Sequence, residues 1–290
     1  MGAADVVPGV SGGTIALISG IYEELINSLK SVNKELLQKI IKGNVSGAWA
    51  HINGHFLVAL FLGIGISIVS LSKVITYLLE VYPVFIWSFF FGLIVASALV
   101  ISQQVTKWDI KSFSGLVLSA LVAYFVTIAS PAETSDALWF VFLSGTIAIC
   151  AMILPGISGS FILLLLGKYN YILSSITELN FKVILTFGLG CIVGLLSFSH
   201  VLSWMFKRFH NLTIATLTGF MIGSLNKVWP WKNVLEWRTN SHGKSVPFID
   251  ESVLPADFSG DPQIFAAIAI AVVGFALILL LERLGNQKAN

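Results

Sequence analysis

Two stretches decide how this chain is read: PGVSGGTIALISGIY at residues 8–22 and PGISGSFILLLLGKY at residues 155–169. Eight of the fifteen positions are identical, namely Pro, Gly, Ser, Gly, Ile, Leu, Gly and Tyr. Each stretch sets Pro-Gly inside an apolar run. Proline lacks the amide hydrogen that a helix interior needs, so neither run is one continuous helix. Ser-Gly-Gly-Thr in one copy and Ser-Gly-Ser in the other then start a new helix. The likeness continues outward. Phe56 to Gly65 resembles Phe181 to Gly190, and Gly92 to Ser97 resembles Gly219 to Ser224. The chain therefore reads as two related halves, 1–129 and 138–281.

The solvent of these halves is lipid. Of 290 residues, 56% are hydrophobic and only 11% are charged, against roughly 25% charged in a soluble domain. A net charge of +2 gives no electrostatic footprint for nucleic acid. Cys150 and Cys191 lie in apolar runs and offer neither a disulfide framework nor a metal spacing. No cleavable signal peptide is recognised, and no cofactor is expected. A spanning helix needs about 20 apolar residues. Six segments are expected to span: 56–79, 83–105 and 113–129 in the first half, then 181–206, 210–225 and 263–281 in the second. The fifth is short and carries Thr213, Thr216 and Thr218, as a helix inside a bundle does. The broken runs 3–29 and 138–169 are expected to be re-entrant helical hairpins. Residues 30–50 have Leu36, Leu37, Ile40 and Ile41 at helical spacing among lysines, which predicts one amphipathic surface helix. Residues 226–262 predict a solvated polar loop flanked by the interfacial Trp229, Trp231 and Trp237.

If each hairpin returns to its own side, one face of the membrane carries Lys30, Lys34, Lys39, Lys42, Lys107, Lys111, Lys207, Arg208, Arg283 and Lys288. The other carries Lys168, Lys182, Lys227, Lys232, Arg238 and Lys244. The excess on the first face assigns it to the cytoplasm. Three spans per half then make the halves inverted, so that one hairpin enters from each side and the tips meet near the midplane. The predicted fold class is an all-α integral membrane protein of two inverted repeats, each a Pro-Gly-broken hairpin plus three transmembrane helices.

A helix start presents free N–H groups and a partial positive charge. Gly9, Gly12, Gly13, Gly156 and Gly159 let an anion approach the backbone, and Ser11, Thr14, Ser158 and Ser160 add hydroxyls. Two such starts facing each other form a candidate phosphate cradle; for either copy alone, a tightly packed helix break is the simpler account. Lys73 and His200 interrupt their spans at matching positions and are candidates to pair with the phosphate, unless Lys73 snorkels and His200 is a bonded structural group. Asp5 is a candidate to titrate or to receive a coupling cation, H+ or Na+; the alternative is a capping or paired carboxylate. Glu23, Glu24, Lys168 and Tyr169 stand at the far ends of the hairpins, as gates or as interfacial residues.

At MGAADVVPGVSGGTIALISGIYEE, residues 1–24, and again at LPGISGSFILLLLGKY, residues 154–169, the sequence resembles the PopT family of bacterial polyprenyl-phosphate translocases. The resemblance covers essentially the whole chain. It implies a multi-pass protein of the bacterial cytoplasmic membrane that returns undecaprenyl phosphate from the outer to the inner leaflet, with an ion gradient as the driving force. It also implies an apolar helix leading into Gly2-Ala3-Ala4-Asp5, so residues are expected before Met1. The partner implied is the lipid substrate; the oligomeric state is left open. The enzymatic alternative is a membrane-embedded undecaprenyl pyrophosphate phosphatase, a family with a Pro-Gly-x-Ser-Arg-Ser-Gly motif. Phosphoryl transfer calls for an arginine on the equatorial oxygens, and Pro8 to Gly13 and Pro155 to Ser160 contain none. An ion or small-anion transporter with the same cradle is the other alternative.

Overall fold

The computed structural model describes residues 1–7, 10–132, 134–239 and 245–287. Before the first long helix come five short ones: α1 (Gly2–Asp5), α2 (Gly12–Ile18), α3 (Tyr22–Lys30), α4 (Lys34–Ile41) and α5 (Val45–His51). Then follow α6 (Gly54–Val81), α7 (Pro83–Ser102) and α8 (Ile110–Ile128). The second half runs α9 (Leu138–Ile153), α10 (Gly159–Leu165), α11 (Tyr169–Thr177), α12 (Phe181–Arg208), α13 (His210–Gly223) and α14 (Ile264–Gln287). Among the described residues α6, α7, α8, α12 and α14 are long and apolar enough to cross a membrane, and a sixth span is added if the bent pair α10–α11 counts as one.

The halves repeat in structure as they do in sequence. α2 and α10 have seven residues each, and α6 and α12 have 28 each. These lengths come from local chemistry. α2 ends at Gly20 and α10 at Gly167, both in the left-handed region, with φ of 73° and 64°. The Gly20 and Ile21 amides reach back to the Leu17 and Ala16 carbonyls, and those of Gly167 and Lys168 reach the Leu164 and Leu163 carbonyls. Only glycine takes this turn without strain, and it closes the helix in a Schellman motif. The two long hairpins turn on matching single residues: Tyr82 (φ −130°, ψ 53°) between α6 and α7, and Phe209 (φ −137°, ψ 51°) between α12 and α13. This match sets Gly54 against Phe181, so the α6–α12 register differs by two residues from the sequence pairing of Phe56 with Phe181.

The halves interlock. α7 packs along α14 and α13 packs along α8, so each pair takes one helix from either half, while α9 packs on α12. Small residues let the backbones touch, which is the main source of packing energy between helices in lipid. A Cβ at Gly92 would run into the Ala271 carbonyl, and one at Gly219 into the Leu116 carbonyl. α7 and α13 form the centre, with Ile94, Ile214, Leu217 and Met221 fully buried. Val58, Leu62, Ile66 and Val69 of α6 stay exposed, as expected of a face in lipid.

Three expectations need correction. The surface segment is two helices, because Gly43 takes φ 69° and Asn44 caps a new start at Val45. The segment expected as the fifth span is the 14-residue α13 extended by a 3-10 turn, Ser224–Val228, shorter than the helices able to cross a membrane; Thr213 and Thr218 are buried and return their hydroxyls to the Phe209 and Ile214 carbonyls. Residues 226–262 are no plain loop. β1 (Lys232–Thr239) and β2 (Ser245–Ser252) form an antiparallel ribbon, closed at its base by the Trp229 indole on the Val253 carbonyl (2.8 Å) and the Trp231 indole on the Pro262 carbonyl (2.8 Å), and held to α7 by Trp229 edge-on to Phe91 at 5.4 Å.

Gly219→Leu should lower the melting temperature in detergent, since overpacking a tight contact costs about 1–3 kcal/mol or more. Gly63→Leu, where a side chain meets open space, should leave it unchanged. Equal melting temperatures for both variants would contradict the close packing of α13 on α8.

Candidate functional site

The two breaks meet, and each supplies what the other lacks. α9 ends at Ile153 inside apolar surroundings, which leaves its last carbonyls without helical partners. The Ser11 hydroxyl donates to the Met152 carbonyl (3.1 Å) and the Tyr22 hydroxyl to the Ile153 carbonyl (3.1 Å). In return the Gly156 amide donates to the Thr14 hydroxyl (3.1 Å). Gly13 lies so close to the Ile153 carbonyl that a Cβ would stand 2.5 Å from it. Gly156, at φ 87°, faces the Ser224 hydroxyl, which a Cβ would meet at 2.5 Å. The two ends of the second broken segment lie together: the Ala132 amide, before α9, donates to the Leu165 carbonyl of α10 (2.8 Å).

The two helix starts differ. At α2 the Gly12 amide donates to Asp5 Oδ1 (2.7 Å), and the Ser11 hydroxyl accepts from the Gly13 amide (3.1 Å). A carboxylate thus already sits where an anion is favoured. Gly12 makes room for it, because a Cβ there would stand 2.5 Å from Asp5 Oδ2. At α10 the cap residue Ser158 makes no side-chain bond to the helix start. Its hydroxyl pairs with that of Ser160 (2.8 Å), and Ser160 is exposed while Ser158 is buried. Gly159 packs on α9, where a Cβ would stand 2.7 Å from the Ala148 carbonyl.

Ser11, Gly13 and Thr14 are therefore joined to Met152, Ile153 and Gly156, whereas Gly12 faces Asp5, and Ser158, Gly159 and Ser160 make their contacts within the second half, so this is not the symmetric cradle expected. Ser11 and Thr14 fasten backbone to backbone, and Asp5 is a cap. Gly9 lies outside the described residues. Lys73 and His200 are not at the junction: both side chains are exposed on α6 and α12, and the His200 ring bonds the Leu196 carbonyl (2.7 Å). Helical phase turns these positions outward, which the sequence spacing did not reveal.

The end residues are tied down as well. Glu23 lies 3.8 Å from His210 Nδ1, and Glu24 accepts from Asn53 (2.7 Å). Lys168 is buried, donating to Asp136 (2.6 Å) and to the Thr134 carbonyl (2.8 Å) between the Phe140 and Tyr171 rings. That makes it a brace across the mouth of the second hairpin. Tyr169 is half-buried beside it. Sequence reasoning missed Tyr22 and Ser224; the identity of Tyr22 and Tyr169 across the repeat was the available signal for the first.

Thr14→Val keeps the shape and leaves the Gly156 amide unpaired, which should cost about 1–3 kcal/mol of stability. Ser160→Ala removes an exposed hydroxyl and should stay within about 0.5 kcal/mol of the parent, yet slow transport. Thermal unfolding and proteoliposome uptake, measured on both variants, separate the fastening role from the binding role.

The chain matches a family described as VCA0040-like, undecaprenyl phosphate translocase-like, over residues 1–246. It is 46% identical over 291 residues to a protein of Vibrio cholerae serotype O1 named polyprenyl-phosphate transporter, covering 99% of this chain and 94% of that one. It is 30% identical over 257 residues to a Staphylococcus aureus protein of the same name, covering 82% and 86%. No solved structure matches. Both relatives are named as transporters rather than hydrolases, in keeping with the missing arginine. With the family model matched over residues 1–246 and 46% identity across 99% of the chain, the chain belongs to the undecaprenyl phosphate translocase-like family.

Proposed function

We propose that this protein carries polyprenyl phosphate, undecaprenyl phosphate in the cell, from the outer to the inner leaflet of the bacterial cytoplasmic membrane, and that an ion gradient drives it. The observation that carries the reading is the junction itself: two broken apolar segments meet, one helix start is filled by Asp5, and the other is open at Ser158 and Ser160. A charged head group cannot cross bare hydrocarbon at tolerable cost. A polar junction between helices lets it cross while the prenyl tail stays in lipid.

The halves are proposed to be inverted, with the ribbon outside. Contacts support this division into faces. Glu23 lies 3.8 Å from His210, Lys30 donates to Ser203, and Thr106 donates to Asn211, which gathers Lys30 and Thr106, both assigned to the cytoplasm, with the neighbouring helix ends. Lys168 donates to Asp136, both assigned outside, and Asn226, also assigned outside, donates to Thr127 at the end of α8. On the cytoplasmic face α3 lies along α12, with Tyr22 edge-on to Phe206 at 5.9 Å and Ser203 linking Lys30 to Asn27. That polar seam closes one mouth of the carrier, and Ser160 faces the other. After Cys150 and Cys191 are replaced by serine, Ser46→Cys should label only from the cytoplasm and Glu236→Cys only from outside. Labelling of both from one side would refute the inverted arrangement.

Coupling is proposed to pass through Asp5. An ionised Asp5 and a phosphate at the same junction repel, so the phosphate is accepted when Asp5 is protonated or paired with Na+. Asp5→Asn keeps an acceptor for the Gly12 amide and removes the charge. It should transport labelled polyprenyl phosphate in proteoliposomes with no response to an imposed H+ or Na+ gradient. A variant that kept the full response of the parent would make Asp5 a cap and nothing more.

A further inference from the structure

The ribbon brings a charge cluster to the open side of the junction. Lys227 lies in the 3-10 turn one residue before its end, Lys232 opens β1, and Asp250 lies on β2 opposite Val234. Asp250 Oδ1 is 3.0 Å from Lys227 Nζ, and Oδ2 is 3.7 Å from Lys232 Nζ. The Lys232 ammonium also donates to the Lys227 carbonyl and rests 4.1 Å above the Trp87 ring; that of Lys227 rests 4.7 Å above the Phe161 ring. The lysine side chains are 15% and 8% exposed, and Asp250 is 27% exposed. Among the described residues Asp250 is the only carboxylate within ion-pair distance of either lysine. Two sheltered ammonium groups thus share one counter-charge.

That imbalance is costly for a brace. A buried ion pair rarely repays its own desolvation, and a second ammonium raises the cost. Burial pulls the Lys232 ammonium down to about 8 even though Asp250 draws it up. The position of the cluster gives the excess charge a use. Phe161, under Lys227, follows the exposed Ser160 in sequence, and Lys227 stands three residues beyond Ser224, whose hydroxyl faces Gly156. Among the described residues the first half has nothing like it: the ribbon occurs once, and the repeat position matching Lys227 is the buried Val100. A charge present on one face only serves a step that occurs on one face only.

We propose that Lys227 and Lys232 are the docking site for the phosphate head group on the ribbon side, and that Asp250 is a stand-in anion which the phosphate displaces. The site rests on the transport reading above and names residues for its first step. The two rings hold the ammonium groups in place, while the more exposed Asp250 turns toward water. A phosphate monoester brings about −1.5 to −2 charges at neutral pH, so it matches two lysines better than one carboxylate does. The exchange makes charge-assisted N–H···O bonds to phosphate and breaks no covalent bond. From there the head group has a short path to Ser160 and the open start of α10.

The test is binding of farnesyl phosphate to the purified full chain in detergent, by calorimetry, with farnesol and inorganic phosphate as the other probes. The parent should bind farnesyl phosphate, ignore farnesol, and bind inorganic phosphate more weakly than the lipid. Lys227→Gln and Lys232→Gln should each weaken farnesyl phosphate by ~10-fold or more, the usual size of one charged hydrogen bond. Asp250→Asn should strengthen it, because the competing carboxylate is gone. Lys227→Arg, which keeps the charge, should bind like the parent and covers the case in which a Gln variant does not fold. Unchanged affinity in the lysine variants overturns the proposal. So does weakening by Asp250→Asn, which would make the cluster a brace. Equal affinity for inorganic phosphate and the lipid would overturn the lipid head group as occupant in favour of free phosphate. A parent that binds neither phosphate probe removes the transport reading itself, a result distinct from any difference between variants.

Discussion

A helix that stops inside a membrane leaves carbonyls or amides with no water to satisfy them. The end of α9 and the first break meet that constraint jointly. Hydroxyls of Ser11 and Tyr22 cap the Met152 and Ile153 carbonyls, and Thr14 accepts the Gly156 amide. Neither break is complete alone. The residues 141 and 142 positions apart that form these bonds tie one half of the chain to the other where α9 ends and α2 begins. The rest of the architecture keeps that meeting in register. α7 against α14 and α13 against α8 each join one helix from either half, with glycine letting backbone touch backbone.

The repeat is close in backbone and unequal in chemistry. Here one start is filled by Asp5 and the other ends in exposed Ser160. α3 is laced to α12 by Lys30, Ser203 and Asn27, whereas Lys168 spends its charge on Asp136 within the second hairpin. Lys227 in the 3-10 turn and Lys232 at the start of the ribbon add a further difference on the second half. Similar frames thus carry different polar fillings.

Much of this was legible in the sequence. The Pro-Gly copies located both breaks, and the repeated Gly-x-Tyr marked where α2 and α10 turn, because a left-handed helix cap requires glycine wherever it occurs. The apolar runs located the long helices for the same reason: hydropathy is a local property. What depends on three-dimensional phase was hidden. Lys73 and His200 match in sequence position, yet both face outward. Ser11 and Thr14 read as ligand donors because their partners, Met152 and Gly156, are far away in the chain. The ribbon reads as a solvated loop because its strands are rich in charged and polar residues, and its anchors are indole N–H groups that composition cannot assign to a carbonyl.

The interlocked pairs also limit where motion can occur in the proposed carrier. Sliding α13 past α8, or α7 past α14, would drive glycine-lined backbone contacts into side chains, and such packing is bistable rather than compliant. The contacts made by hydroxyls are of another kind. The seam between α3 and α12 and the bonds between the two breaks can be exchanged for bonds to water or to a phosphate at small net cost. Helices α6 and α12 turn back on single residues, Tyr82 and Phe209, held in the same backbone conformation. The dry glycine contacts thus make a fixed frame of α7, α8, α13 and α14, and the hydroxyl contacts make the hairpins, with α6 and α12, the parts that give way. In that division the phosphate supplies, at the junction, the bonds that the hairpins release when they part.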